Sequence, residues 1–75
     1  MSVTTDQVPA TLALEIAIAQ PVMTVWRANG SKVEFYEHPR FGDDAPAIAL
    51  EDGFFSFTYD VWDVASARLY CGLDQ

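Results

Sequence analysis

The sequence contains a single cysteine, Cys71, and a single histidine, His38, among its 75 residues. A lone cysteine cannot form a disulfide within the chain, and an unpaired thiol in so small a domain is typical of a reducing compartment, so we expect a cytoplasmic protein. A structural zinc site needs a full tetrahedral set of Cys or His ligands, which these residues cannot supply. The sequence therefore predicts a fold without a disulfide or a zinc site, and it indicates no cofactor.

Basic residues are also scarce, because 4 Lys and Arg stand against 11 Asp and Glu, for a formal net charge of −7 and a pI near 4.1. The cations are scattered singly along the chain, as Arg27, Lys32, Arg40 and Arg68. Phosphate binding needs clustered Lys and Arg, so this charge disfavours direct contact with nucleic acid and with anionic membranes. It fits a basic protein partner.

Signals for secretion or for membrane insertion are missing as well. The first residues, Met-Ser-Val-Thr-Thr-Asp, have neither a basic region nor an apolar run. The longest mainly apolar stretch, from Ala10 to Val25, is interrupted by polar residues and is shorter than the ~20 residues needed to cross a bilayer. We therefore expect a soluble protein.

What the sequence does contain is the material for one small domain. Hydrophobic residues make up 51% of the chain and aromatic residues 13%, a composition typical of a packed globular protein. A chain of this size buries only about 60% of the surface that its unfolded form exposes, which makes its stability marginal. We therefore expect a single domain over residues 1–75, loosely ordered over residues 1–8 and stabilised by self-association as a homodimer.

One β-hairpin is predicted around Asn29-Gly30, a dipeptide preferred in two-residue turns that need positive φ at both central positions. Counting outward from this turn pairs Trp26 with Val33 and Thr24 with Phe35. Large apolar groups then lie on both faces of the hairpin, which favours a partner surface.

A second hairpin is predicted around Asp52-Gly53, which suits the same kind of turn. Counting outward pairs Leu50 with Phe55 and Ile48 with Phe57. These four apolar side chains share one face, so we expect that face to lie in the core.

Outside the hairpins, the sequence predicts one further strand and one helix. Large and small side chains alternate from Leu12 to Ala19, which is the period of a strand. A helix over residues 61–71 can begin after Asp60 as its N-cap and end at Gly72. Its expected buried stripe contains Trp62, Ala65 and Leu69. The predicted architecture is α+β, a small antiparallel sheet of about five strands with one C-terminal helix.

Charged and ring-bearing side chains concentrate in the loop between the two hairpins. They are Glu37, His38, Arg40, Phe41, Asp43 and Asp44. A loop whose side chains are not needed for packing is free to contact a partner, so these residues are the candidate protein-contact site. Carboxylates with a histidine could instead hold a divalent cation, although the spacing matches no metal motif. The structural alternative has Arg40 bridging Asp43 or Asp44, with Phe41 turned inward.

Catalytic groups are not indicated. Histidine is a residue type that commonly serves as a general base, but no nucleophile accompanies His38 in the sequence. Ser31, Ser56 and Ser66 are predicted in a turn, a strand and a helix, without a nucleophile-elbow sequence. No glycine run resembles a phosphate-binding loop. The sequence therefore favours a protein that is not an enzyme.

These observations favour a small acidic protein that acts through protein contacts, in an accessory or regulatory role and as a homodimer. One alternative is an acidic inhibitor that mimics nucleic acid and blocks a basic groove, as several phage-encoded antagonists do; only the charge supports it. Another is a small enzyme or cation-binding module centred on the Glu37–Asp44 loop.

Overall fold

The computed structural model describes residues 8–73, which form two helices and a four-stranded antiparallel sheet. In chain order the elements are α1 (Ala10–Ala17), β1 (Met23–Trp26), β2 (Lys32–Tyr36), β3 (Ile48–Glu51), β4 (Phe54–Phe57) and α2 (Val64–Tyr70). Consecutive strands pair, so β1 and β4 are the edges of the sheet. The α+β class is confirmed, but this part of the chain has four strands instead of about five, and a second helix. Neither helix is long and apolar enough to span a membrane.

The segment predicted as a strand over residues 12–19 instead contributes most of α1. Ala, Leu and Glu all favour helix, and this propensity outweighs the alternating pattern. Only Ile16 of the helix is fully buried, whereas the side chains of Leu14 and Ile18 are 71% and 89% exposed. The strand prediction was wrong because it followed the alternation of large and small side chains; α1 forms instead and leaves one apolar side exposed.

The hairpin around Asp52-Gly53 has the predicted register. Leu50 lies opposite Phe55 and Ile48 opposite Phe57. Both turn residues have positive φ, 54° and 81°, as a two-residue type I′ turn requires.

We expect Gly53→Val to lower the free energy of unfolding by roughly 1–3 kcal/mol in urea denaturation. Apart from its chain neighbours, no described residue comes within 4 Å of a Cβ placed at Gly53, so the cost is backbone strain, because a β-branched residue resists a φ of 81°. The control is Asp52→Gly, which changes the same turn without imposing strain and should shift stability by less than about 1 kcal/mol. A Gly53→Val loss below ~0.5 kcal/mol would contradict this turn geometry.

The first hairpin has a three-residue loop, residues 28–30, instead of the predicted two-residue turn. The Gly30 N–H donates to the Arg27 carbonyl at 2.9 Å, and the Arg27 N–H donates to the Ser31 carbonyl at 2.8 Å. Gly30 is the loop's residue with positive φ, 91°, as in a turn followed by a one-residue bulge. Asn29 Oδ1 accepts hydrogen bonds from the N–H and the hydroxyl of Ser31, at 2.9 and 2.8 Å.

This extra loop residue shifts the pairing of β1 with β2 by one position, so the predicted pairing of Trp26 with Val33 was wrong. Val33 instead lies opposite Val25, and Trp26 lies opposite Lys32. A shift of one residue exchanges the faces of a strand. Val25 and Val33 are therefore buried on one face, whereas Trp26 is 59% exposed on the other.

Each face of the sheet carries its own buried cluster. The cluster on the α2 side contains Val25, Val33, Phe35, Ala47, Ala49, Val61, Ala67 and Cys71. The cluster on the α1 side contains Ile16, Tyr36 and Ile48, with Val8, Leu50, Phe55 and Phe57 half-buried around it. The loose order expected for residues 1–8 concerns positions outside the described residues, except for Val8, which packs against this second cluster.

Helix α2 has Asp63 as its N-cap, so the predicted start at Asp60 was wrong. The Asp63 carboxylate accepts a hydrogen bond from the Ser66 N–H at 2.9 Å, and the Ser66 hydroxyl accepts one from the Asp63 N–H at 3.0 Å. This reciprocal pair is a capping box. The hydrogen bonds from Ser66 hold the pKa of Asp63 below its usual value, which keeps the cap ionised.

The buried residues of the α2 region also differ from the predicted stripe. Ala67 and Cys71 are the buried positions. Trp62 and Leu69, which were predicted to be buried, are 56% and 55% exposed, and Ala65 is exposed as well. Apolar side chains of this region are therefore presented on the surface.

Candidate functional site

The loop from Glu37 to Asp44 follows β2 and folds into a compact turn. His38 and Gly42 form an antiparallel bridge, in which the Gly42 N–H donates to the His38 carbonyl at 2.8 Å. The Asp44 N–H donates to the Phe41 carbonyl at 2.9 Å. Gly42 has a φ of 56°, in the left-handed region that glycine adopts readily. The backbone of the loop is therefore ordered by its own hydrogen bonds.

The His38 side chain contacts both the backbone and an aromatic ring of this loop. Its Nδ1 accepts hydrogen bonds from the N–H groups of Arg40 and Phe41, at 3.1 and 3.3 Å. The ring centroid lies 4.8 Å from that of Phe41, and the ring stacks on Phe57 at a centroid distance of 6.3 Å. These contacts give His38 a structural role in shaping the loop.

Arg40 pairs with helix α1 and not with its own loop. Its Nη2 lies 3.0 Å from Oε2 of Glu15. The predicted bridge from Arg40 to Asp43 or Asp44 was therefore wrong. Because this pair is well exposed, with 59% and 44% of the two side chains accessible, it contributes little to stability.

Three carboxylates of the loop form no ion pair with the described part of the chain. The ion pairs within residues 8–73 join Arg27 to Glu51, Lys32 to Glu34 and Arg40 to Glu15. None of them involves Glu37, Asp43 or Asp44. The loop therefore presents negative charge that the described part of the chain does not neutralise.

Large apolar side chains lie exposed around these carboxylates. Phe41, which was predicted to turn inward, is 63% exposed. Val22, just before β1, and Trp62, just before α2, are each 56% exposed. Aromatic side chains of this kind are enriched at protein interfaces.

A cavity of about 160 Å³ opens beside the loop. Its apolar walls come from Val22, Met23, Ala45, Ala47, Val61 and Trp62. Its acidic lining comes from Glu37 and Asp43, and among residues 8–73 no Lys or Arg lines it. The cavity therefore combines apolar surface with negative charge.

A second depression, of about 490 Å³, lies on the α1 side of the loop. Glu15, Ile16 and Ala19 of the α1 segment line it together with residues 37–42. Val22, Glu37 and Gly42 line both depressions, so the two adjoin along the loop.

The structure brings most of the candidate residues to these depressions. Glu37, His38, Arg40, Phe41 and Asp43 line one or both of them, whereas Asp44 lines neither. Sequence reasoning did not identify Val22 and Trp62 as part of this site. Their position depends on contacts between distant segments, for which no local pattern exists.

Metal binding and nucleophilic catalysis find less support in the described residues. Within residues 8–73, no group of three or more His, Cys, Asp and Glu side chains could hold a metal ion. Burial raises the pKa of the Cys71 thiol, which disfavours the reactive thiolate. The hydroxyls of Ser31 and Ser66 are engaged by Asn29 and Asp63.

Comparison with protein-family models, with curated proteins and with solved structures finds no significant match for this chain. Its function is therefore inferred from its own geometry and charge.

Proposed function

We propose that the protein is a non-enzymatic binding module that holds a basic protein partner at the surface around the Glu37–Asp44 loop. We call this surface the loop surface and define it by Val22, Glu37, Phe41, Asp43 and Trp62. One observation carries the proposal: two carboxylates that form no ion pair with any residue of the described range 8–73 lie in a cavity whose other walls are apolar. An accessory or regulatory role in the reducing cytoplasm fits this binding activity and the unpaired thiol of Cys71.

The aromatic side chains supply the affinity in this proposal. Burying Phe41 and Trp62 against a partner removes apolar area from water, and large aromatic side chains are frequent binding hot spots. The hydrogen bonds that order the loop reduce the entropy lost when a partner binds.

The carboxylates supply selectivity. A net charge of −7 attracts cationic molecules over a distance of about one Debye length. Glu37 and Asp43 then favour a Lys or Arg side chain at the cavity, where an acidic partner would be repelled. The expected partner segment therefore alternates or mixes basic and apolar residues.

Calorimetric titration with a synthetic peptide of alternating Lys and Leu residues tests this proposal. We expect saturable binding to the native protein and roughly tenfold weaker binding to the double variant E37Q/D43N at low salt. The difference should shrink when the ionic strength rises from about 0.01 M to about 0.15 M, since the Debye length falls from ~30 Å to ~8 Å.

A control variant with the same loss of charge is E34Q/D52N, which neutralises carboxylates of β2 and of the second hairpin turn. It should leave peptide affinity within about twofold of the native value, because neither residue lies on the loop surface. Equal weakening by the two double variants would mean that only net charge matters, and it would overturn the assignment of the site. A peptide of alternating Glu and Leu residues should not bind.

A further inference from the structure

Helix α1 carries an apolar outer face that no described residue covers. The exposed positions on this side are Ala10, Thr11, Leu14, Ala17 and Ile18, and Glu15 is exposed at its edge. Their spacing places them on one side of a helix with 3.6 residues per turn. On the opposite side, Leu12 and Ala13 are half-buried and Ile16 is fully buried.

The helix is weakly stabilised by its own sequence. It has eight residues, whereas isolated helices need about 12–15 residues to form in water. Pro9 at its N-cap provides no side-chain hydrogen bond, and no acidic residue in the first turn or basic residue in the last turn complements the helix dipole. Burial of the outer face would remove apolar side chains from water and so add stabilisation that the sequence of the helix does not supply.

The charge distribution indicates which molecule can cover this face. Two copies with a net charge of −7 each repel each other wherever their acidic residues meet. The outer face of α1 has no charged side chain. The charged residue of the helix, Glu15, is turned towards Arg40 at 3.0 Å. Two copies can therefore meet along α1 without placing carboxylates opposite each other.

We propose that two copies of the chain associate through the outer faces of α1, related by a twofold axis. A twofold interface packs one patch against the same patch of the other copy, and an uncharged apolar patch is complementary to itself. Ala10 and Ala17 are small enough for the two helices to approach closely beside Leu14 and Ile18. A basic partner finds no carboxylate on this face, and the proposal does not depend on the loop surface.

Sedimentation equilibrium of the full chain and of the variant Leu14→Glu tests this interface. The native chain should be a dimer at micromolar concentrations. Leu and Glu have similar helix propensities, but the substitution places a carboxylate of each copy in the interface, so we expect the dimer Kd to rise roughly 30-fold or more. The control is Leu69→Glu on α2, which makes the same change at an exposed position away from α1 and should alter the Kd less than about twofold.

Amide hydrogen exchange of the native chain provides a second measurement that needs no variant. Dilution below the dimer Kd should speed exchange over residues 14–18 and leave β3 unchanged. A native chain that remains a monomer at about 100 µM would overturn the proposal, as would a dimer that Leu14→Glu does not weaken. Neither result bears on peptide binding at the loop surface, so the two proposals can fail separately.

Discussion

Replacing Phe35 by alanine is expected to lower the free energy of unfolding by about 3–5 kcal/mol. Phe35 is completely buried and is the largest of the fully buried side chains described. Its ring meets that of Tyr70 edge to face, with the centroids 5.7 Å apart and the planes at 81°. The substitution therefore leaves a cavity between the sheet and α2 and removes an aromatic contact.

Urea denaturation followed by circular dichroism measures this effect. A domain of this size has a total stability on the order of 4–11 kcal/mol, so Phe35→Ala should remove a substantial part of it and lower the urea midpoint accordingly. Phe54→Ala is the control, because the same atoms are removed from a side chain that is 70% exposed; we expect a loss below about 1 kcal/mol. A similarly small loss for Phe35→Ala would contradict the packing of α2 on the sheet.

The second large effect is expected at Ile16, which anchors α1 to the sheet. Its side chain is 1% exposed and packs with Tyr36 and Ile48. Ile16→Ala should lower the free energy of unfolding by about 2–4 kcal/mol. Because Ile16 is the fully buried residue of this short helix, we also expect faster amide exchange over α1 than over β3 in the variant.

Ile18→Ala is the matched control for this prediction. It removes the same atoms from the same segment, but the side chain of Ile18 is 89% exposed. At protein concentrations low enough to keep the chain monomeric, its cost should stay below about 0.5 kcal/mol. Equal losses at both positions would mean that α1 does not pack with Ile16 towards the sheet.

The hairpin around Asp52-Gly53 could be predicted from the sequence because its determinants are local. The dipeptide imposes the turn, and the turn imposes the pairing of Leu50 with Phe55. Asn29-Gly30 carries the same kind of signal, yet its glycine serves a three-residue loop. Either loop is compatible with this dipeptide, and the three-residue form is the one that brings Val25 and Val33 together against the α2 side of the sheet.

Errors at the two helices have a different origin. Residues 12–19 alternate in size, but their helix propensity is high, and the strand prediction followed the alternation. At α2, Asp60 and Asp63 are both chemically suited to capping. Ser66 distinguishes them, because it completes a capping box with Asp63. The spacing of Asp63 and Ser66 is visible in the sequence, but the prediction of the helix start did not take it into account.

The candidate site was only partly predictable. The concentration of charge over residues 37–44 predicted a surface loop, since side chains that are not needed for packing tend to remain on the surface. The partners of Arg40 and the exposure of Phe41 depend on how α1 and β2 are placed. Trp62 was assigned to the core because the helix was expected to begin after Asp60, whereas α2 has Asp63 as its N-cap and Trp62 lies before the helix, exposed.

Nuclear magnetic resonance titration of the ¹⁵N-labelled protein with the Lys-Leu peptide tests the binding proposal most directly. The loop surface predicts saturable chemical-shift changes centred on residues 37–44, Val22 and the indole N–H of Trp62, with β3 and the turn at Asp52-Gly53 nearly unchanged. The absence of saturable changes would contradict the proposal, and so would changes spread evenly over all acidic residues or centred away from the loop.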